Sequence, residues 1–257
     1  MSLAEQWLLM FYTRQMEITG VIKRRILVNY RVAPEIVRPL LPAPFRPKLH
    51  AGFAVVGICL IRLEKIRLSG MPAFIGVSSE NAAHRVAVEW DEGAVVREGV
   101  FVFRRDTSSL MNHYAGGRLF PGEQHYADFA VRDANGHVGL RARPDNGEAL
   151  VELRGHESAE LPAGSIFRSL EESSRFFEGG CLGFSLAASG AIDGMKLVTR
   201  EWSVRPFEVE ICRSRFFADT SVFPAGSVVF DHAIIMRDIQ HDWQTCAAPG
   251  ETVKRIA

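Results

Sequence analysis

The chain has 257 residues, 47% of them hydrophobic and 23% charged, which is enough apolar material for a sizeable core and excludes a largely disordered chain. Thirty Lys and Arg balance thirty Asp and Glu; this argues against a general nucleic-acid binder, which needs surplus cations to displace phosphate counterions. The four cysteines (Cys59, Cys181, Cys212 and Cys246) are widely spaced with no CxxC pair, so neither a zinc ribbon nor a disulfide framework is suggested, and free thiols in a reducing cytoplasm are expected.

The apolar run at residues 7–12, Trp-Leu-Leu-Met-Phe-Tyr, is far shorter than the roughly 20 residues that span a bilayer. It follows Glu5 rather than a basic segment, so no signal peptide is expected. A short helix docked on the body or on a second subunit is the expectation, and with it a homo-oligomer. Residues 25–30 read as a strand. Residues 34–41 suit a short helix, with Pro34 in its first turn and Pro39 ending it. The long apolar run at 52–61 fits a buried strand. Residues 85–90 and 100–103 alternate as strands around the hairpin signal Asp91-Glu92-Gly93. Asn135-Gly136 marks a second hairpin within 131–138, and 149–153 is another strand. Residues 165–177 carry apolar side chains at Ile166, Phe167, Leu170, Phe176 and Phe177, a helical spacing stopped by Gly179-Gly180. No linker or repeat divides the chain. One α+β domain over 1–257 is expected, with an N-terminal arm to about residue 20 and a tail from about residue 245. Closely spaced strands joined by turns favour a mixed or antiparallel β-barrel with a few short helices over a doubly wound sheet.

The densest chemistry lies at residues 103–129, polar and Gly-rich between two β regions. Arg104, Arg105 and Arg118 can each grip a carboxylate, and Gly116-Gly117 lets backbone approach a ligand. The competing reading is a structural network in which Asp106 pairs with one arginine. Other constellations are weak. His232, Asp238, His241 and Asp242 lack the spacing that gathers ligands on a helix, and no metal site is expected. There is no GxSxG elbow and no Walker phosphate loop. Cys59 sits in an apolar strand and reads as an inert thiol. The aromatics Trp202, Phe207, Phe216, Phe217, Phe223 and Phe230 read as core.

Several stretches resemble the YqjF-like family of uncharacterised bacterial proteins: Asn29-Tyr30-Arg31-Val32-Ala33-Pro34, the Pro-rich Leu41 to Pro47, and Ser79 to Arg85. They continue with Arg104 to Ser109, Gly116 to Gly122, Phe223 to Ser227, and Phe230-Asp231-His232. That family is similar, more distantly, to the acetoacetate decarboxylases, and the resemblance implies their β-barrel architecture with an internal cavity. Decarboxylases carry Gly-Arg-Glu followed by Pro-Lys-Lys, whose first lysine forms a Schiff base. On that resemblance Gly117-Arg118 matches the first segment, His125 and Tyr126 occupy the two lysine positions, and Glu80 matches an upstream carboxylate. Only Lys23, Lys48, Lys65, Lys196 and Lys254 are present, and no two are adjacent.

The expected function is acid–base chemistry on a small carbonyl or carboxylate compound held in a cavity, without a Schiff-base lysine and without a cofactor. Arg104, Arg105, Arg118, Tyr126 and Gly117 would hold the ligand, and Glu80 with His125 would shuttle protons. The alternatives are a non-catalytic binding or sensing protein and a structural assembly module. No nucleic acid and no membrane are expected as partners.

Overall fold

Two rings of strands share one wall. The computed structural model describes residues 17–110, 122–144 and 150–250; the cluster at 7–12, Gly117 and Arg118 lie outside them. The strands are β1 (Glu17–Val32), β2 (Arg46–Pro47), β3 (Leu49–His50), β4 (Phe53–Leu68), β5 (Val77–Glu92), β6 (Val95–Thr107) and β7 (Gln124–Ala134). They continue as β8 (His137–Pro144), β9 (Val151–Glu157), β10 (Leu182–Leu186), β11 (Ile192–Thr199), β12 (Arg205–Ser214) and β13 (Val229–Cys246). The helices are α1 (Pro34–Val37) and α2 (Leu170–Glu178). All thirteen strands belong to one sheet. Pairing runs β5-β6-β7-β8-β9-β12-β13-β1-β4 and back to β5, a closed ring of nine strands. A second path, β6-β10-β11-β13-β1-β4-β5 and back to β6, closes a ring of seven. Most pairs are antiparallel; β6 runs parallel to β7 and to β10. The expected mixed sheet with few helices is what forms, and its closure leaves few free edges.

The shared wall of β13, β1, β4, β5 and β6 explains the longest apolar run in the sequence. Successive side chains of a strand point to opposite faces, and here both faces are buried. Val56, Ile58 and Leu60 join one core with Ile26, Val28 and Val86. Val55, Cys59 and Ile61 join the other with Leu27, Ile234 and Phe177. Serving two cores also explains strand lengths of 16 residues for β1, β4 and β5 and 18 for β13, against a common length of about 5–6.

The hairpins form where turn chemistry demands. Gly93 has φ 62°, and Asn135 and Gly136 have φ 53° and 79°, the two left-handed residues a tight hairpin turn requires. The α1 helix ends at Val37, and Pro39 lies in the 3-10 turn that follows. The expected helix over 165–177 is shorter at its start. The Ser165 hydroxyl and the Ile166 N–H both donate to Asp231 (2.7 and 2.9 Å), which holds this stretch off the helix. Ser169 then caps α2 by accepting from the Glu172 N–H. Among the described residues no helix is long and apolar enough to cross a membrane.

Candidate functional site

A cavity of about 100 Å³ lies within the seven-stranded ring, and every strand of that ring contributes to its wall. Its apolar lining includes Ile61, Leu63, Ala83, Val102, Met195 and Leu197. Set into that lining are Arg25, Arg85 and Arg105, with Cys59, Asn81 and Gln124. The register explains the gathering. Arg25 pairs with Ile61 across β1 and β4, and Ile61 with Asn81 across β4 and β5. Cys59 pairs with Ala83, and Ala83 with Arg105. Directly opposed residues share a face, so one side of the common wall carries all of these groups.

None of the three arginines is in an ion pair among the described residues. Arg25 Nε donates to Cys59 Sγ (3.3 Å). Arg105 donates through Nε and Nη2 to Ser185 Oγ (3.2 and 3.1 Å). Arg85 is 2% exposed and donates through Nη2 to Asn29 Oδ1 (2.8 Å). Its Nε and Nη1 find no hydrogen-bond partner among the described residues. Burial pushes Arg85 and Arg105 down to about 10, opposed at both by Cys59, with nearby Arg25 adding to the effect on Arg85. Both remain cationic at neutral pH.

A buried relay holds Arg85 in place. Asp231 Oδ2 accepts from His232 Nδ1 (2.6 Å). His232 Nε2 then accepts from the Ser173 hydroxyl (2.7 Å) and the Asn29 amide (3.2 Å). The second amide hydrogen of Asn29 goes to the Leu27 carbonyl, which leaves Oδ1 for Arg85. Burial lowers the pKa of His232 although Asp231 pulls it up, so the imidazole is neutral and each donor has one direction. Ser173, His232 and Asp231 thus stand in the order of a hydrolase triad, but Ser173 and His232 are fully buried. Sealed from solvent, they serve to orient rather than attack. The Phe177 ring packs 5.0 Å from the Arg85 guanidinium.

Of the residues expected from sequence, Arg105 is in the cavity wall. Arg104 is not. It alternates to the other face and chelates Asp106, with Nε at 3.1 and 3.0 Å and Nη2 at 2.7 Å. Asp106 is fully buried, and burial raises its pKa despite Arg104. This is the structural Arg/Asp network. Glu80 requires a correction as well: it binds Arg24 (2.6 Å) rather than lining the cavity. Arg24 also meets Asp133 (3.1 Å), and Arg237 meets Asp133 in turn. Burial raises Glu80, opposed by Arg24 and Arg62. His125 stands opposite Asp106 on the face that Glu80 shares, away from the cavity wall. Tyr126 donates to Asp128 (3.2 Å) and is also outside the wall. Arg25, Arg85, Asn81 and Cys59 were not expected as site residues. Cys59, read as an inert core thiol, faces the cavity.

Two other features complete the survey. An open depression of about 440 Å³ lies by Tyr30, Cys212, Arg213 and Phe217, with no buried polar group left without a partner among its described lining. On the outer surface His137, His156 and Glu210 place ligand atoms within 4.8 Å of one another. These three could hold a divalent metal. They come from β8, β9 and β12 and lie apart from the cavity, within a ladder that includes Arg154 and Glu208.

Comparison with known proteins supplies a family and a fold. The model of DUF2071, an uncharacterized conserved protein family, matches residues 21–229. No curated protein matches. Among solved structures, the chain is similar to acetoacetate decarboxylase from Legionella pneumophila subsp. pneumophila str. Philadelphia 1. The TM-score is 0.58 at 13% identity, over 90% of this chain and 87% of that one. An acetoacetate decarboxylase-like enzyme from Sphingomonas wittichii RW1 gives 0.56 at 14% identity, over 91% and 92%. The enduracididine biosynthesis enzyme MppR, complexed with pyruvate, gives 0.55 at 10% identity, over 90% of each chain. At these identities the likeness establishes the fold and leaves activity to the site.

Proposed function

Since the chain belongs to the DUF2071 family and folds like the acetoacetate decarboxylases, we propose that it binds a small organic acid in the cavity of the seven-stranded ring. The observation that carries this reading is Arg85: a cation 2% exposed, with Nε and Nη1 unpartnered among the described residues, in the wall of a cavity. A buried charge without a counter-charge is expensive unless a ligand completes it, and a carboxylate matches guanidinium donors in geometry and sign. Asn81 and Gln124 add polar amide groups to the wall. Glu80 and His125 are outside this wall, and this reading gives them no part in holding the acid. The wall favours binding over acid–base turnover.

The test is a thermal-shift screen with carboxylic and 2-oxo acids of three to six carbons, each beside its primary amide. Acids raise the melting temperature in proportion to the logarithm of concentration above Kd, amides do not, and Arg85→Met abolishes the acid response. Equal responses to acids and amides, or none to either, sink the proposal. Turnover assays on the acids that bind then separate a binder, which gives no product, from an enzyme.

A further inference from the structure

We infer that the acid is a dianion, a short dicarboxylate of about four or five carbons; this rests on the acid-binding reading above and specifies its ligand. Three guanidiniums line one cavity, and their side-chain partners are a cysteine sulfur, an amide oxygen and a hydroxyl, none of them a carboxylate. Among the described residues the one acidic residue that touches the wall is Asp106, and its carboxylate turns to the opposite face, where Arg104 chelates it. The site therefore holds three positive charges with no carboxylate of its own paired to them. A monoanion leaves two of them, a dianion leaves one. Guanidiniums keep their protons, so they do not shed this charge by titration, and ligand carboxylates offset it.

Size and lining choose among dianions. A cavity of about 100 Å³ limits the ligand to a small molecule, since a cavity of about 150 Å³ takes benzene. Among dicarboxylates this favours the short ones. The aliphatic side chains Ile61, Leu63, Val102, Met195 and Leu197 between the cations suit a methylene chain, which inorganic phosphate lacks. The cations also come from three different strands, β1, β5 and β6, so two acid groups of one ligand can each meet a separate guanidinium.

The experiment is calorimetric titration of the full chain with succinate and glutarate, with butyrate and pentanoate as monoacids of equal length, and with inorganic phosphate. Dicarboxylates bind at least tenfold tighter than the matching monoacids. Arg25→Met and Arg105→Met each reduce that ratio to near one while butyrate binding changes less, and circular dichroism confirms that each variant is folded. If dicarboxylates and monoacids bind equally, the dianion inference falls and the acid-binding reading stands. Should no acid of either kind bind, both fall. If phosphate outcompetes succinate, the site recognises an oxyanion head rather than a dicarboxylate, and the inference is overturned.

Discussion

A buried guanidinium without a counter-charge weakens the protein that carries it, and Arg85 gives a measurable instance. Replacing it with Met sheds one charge-assisted hydrogen bond, worth about 1.5–3 kcal/mol, and one contact with the Phe177 ring, worth about 1 kcal/mol. It also removes an unpaired buried cation, whose effective desolvation penalty is several kcal/mol. The penalty is the larger effect, so Arg85→Met should raise the melting temperature of the ligand-free protein by about 2–4 °C while abolishing acid binding; a lower melting temperature would show that Arg85 is structural. Two buried histidines set the acid side of the stability profile. Burial, helped by Arg104, lowers His84 to about 3. Burial lowers His241 to about 4, with Arg25 aiding and Asp242 opposing. Both fall below the ordinary value of about 6.5. The unfolded chain therefore binds more protons in that window, so stability is fully present above pH 6.5 and is lost as pH falls through 4 and 3. In urea titrations His84→Phe, set among Phe216 and Phe217, should flatten the decline between pH 6.5 and 3; superimposable profiles would remove His84 from the account. At this scale the sequence was half legible. Arg105 stood out because it falls in a polar, Gly-rich segment. Arg25 and Arg85 did not, because an arginine in an alternating strand reads as a solvent face. That face here meets a second core, and no local signal announces one.

Strands with two buried faces leave little room for change where backbones approach. A Cβ on Gly155 of β9 would sit 2.1 Å from the Glu208 carbonyl oxygen and 2.6 Å from Phe207 Cε1. Backbone cannot yield as a flexible side chain can, so Gly155→Ala should destabilise by about 3 kcal/mol, the upper end of overpacking effects. Gly139 of β8 has nothing within 4 Å of its added Cβ, and Gly139→Ala should leave stability within about 0.5 kcal/mol of the parent. Chemical denaturation of the pair checks both; equal destabilisation would mean that strand propensity rather than the clash governs these sites. The elements read most clearly from sequence were those with local grammar. Asp91-Glu92-Gly93 and Asn135-Gly136 specify their hairpins through residues that accept positive φ, and Pro39 specifies where α1 cannot continue. The start of α2 was misplaced because Ser165 and Ile166 serve Asp231, 65 residues or more away. A long-range contact overrode a helical pattern that was locally sound.

The double ring itself has no sequence signature, because it depends on β6 and β13 each pairing with strands of both rings. Resemblance pointed to the architecture; alternation alone could not say that the two faces of one wall enclose two interiors. The same geometry decides whether the chain can use the amine chemistry that its fold accommodates elsewhere. A lysine imine needs an uncharged amine inside the cavity, and an ordinary lysine, with a pKa near about 10.4, must be brought down by burial or a cationic neighbour. Among the described residues no lysine lines the cavity. Lys23 is exposed and paired with Asp238, which raises its pKa rather than lowering it. Lys48 is paired with Glu98 and lies 4.2 Å from the Phe176 ring. Lys65 is exposed. Lys196 is the instructive case, since its neighbours Met195 and Leu197 both line the cavity. Strand alternation turns the residue between them the other way, and Lys196 is exposed. The three cavity arginines would depress the pKa of an amine beside them, but the strand register brings none there. Borohydride treatment in the presence of acetoacetate should therefore leave the intact mass unchanged, and no acetone should form. A reduced adduct mapped to a lysine, with acetone release lost on mutating that lysine, would show that the amine reaches the cavity by a route the strand register does not provide.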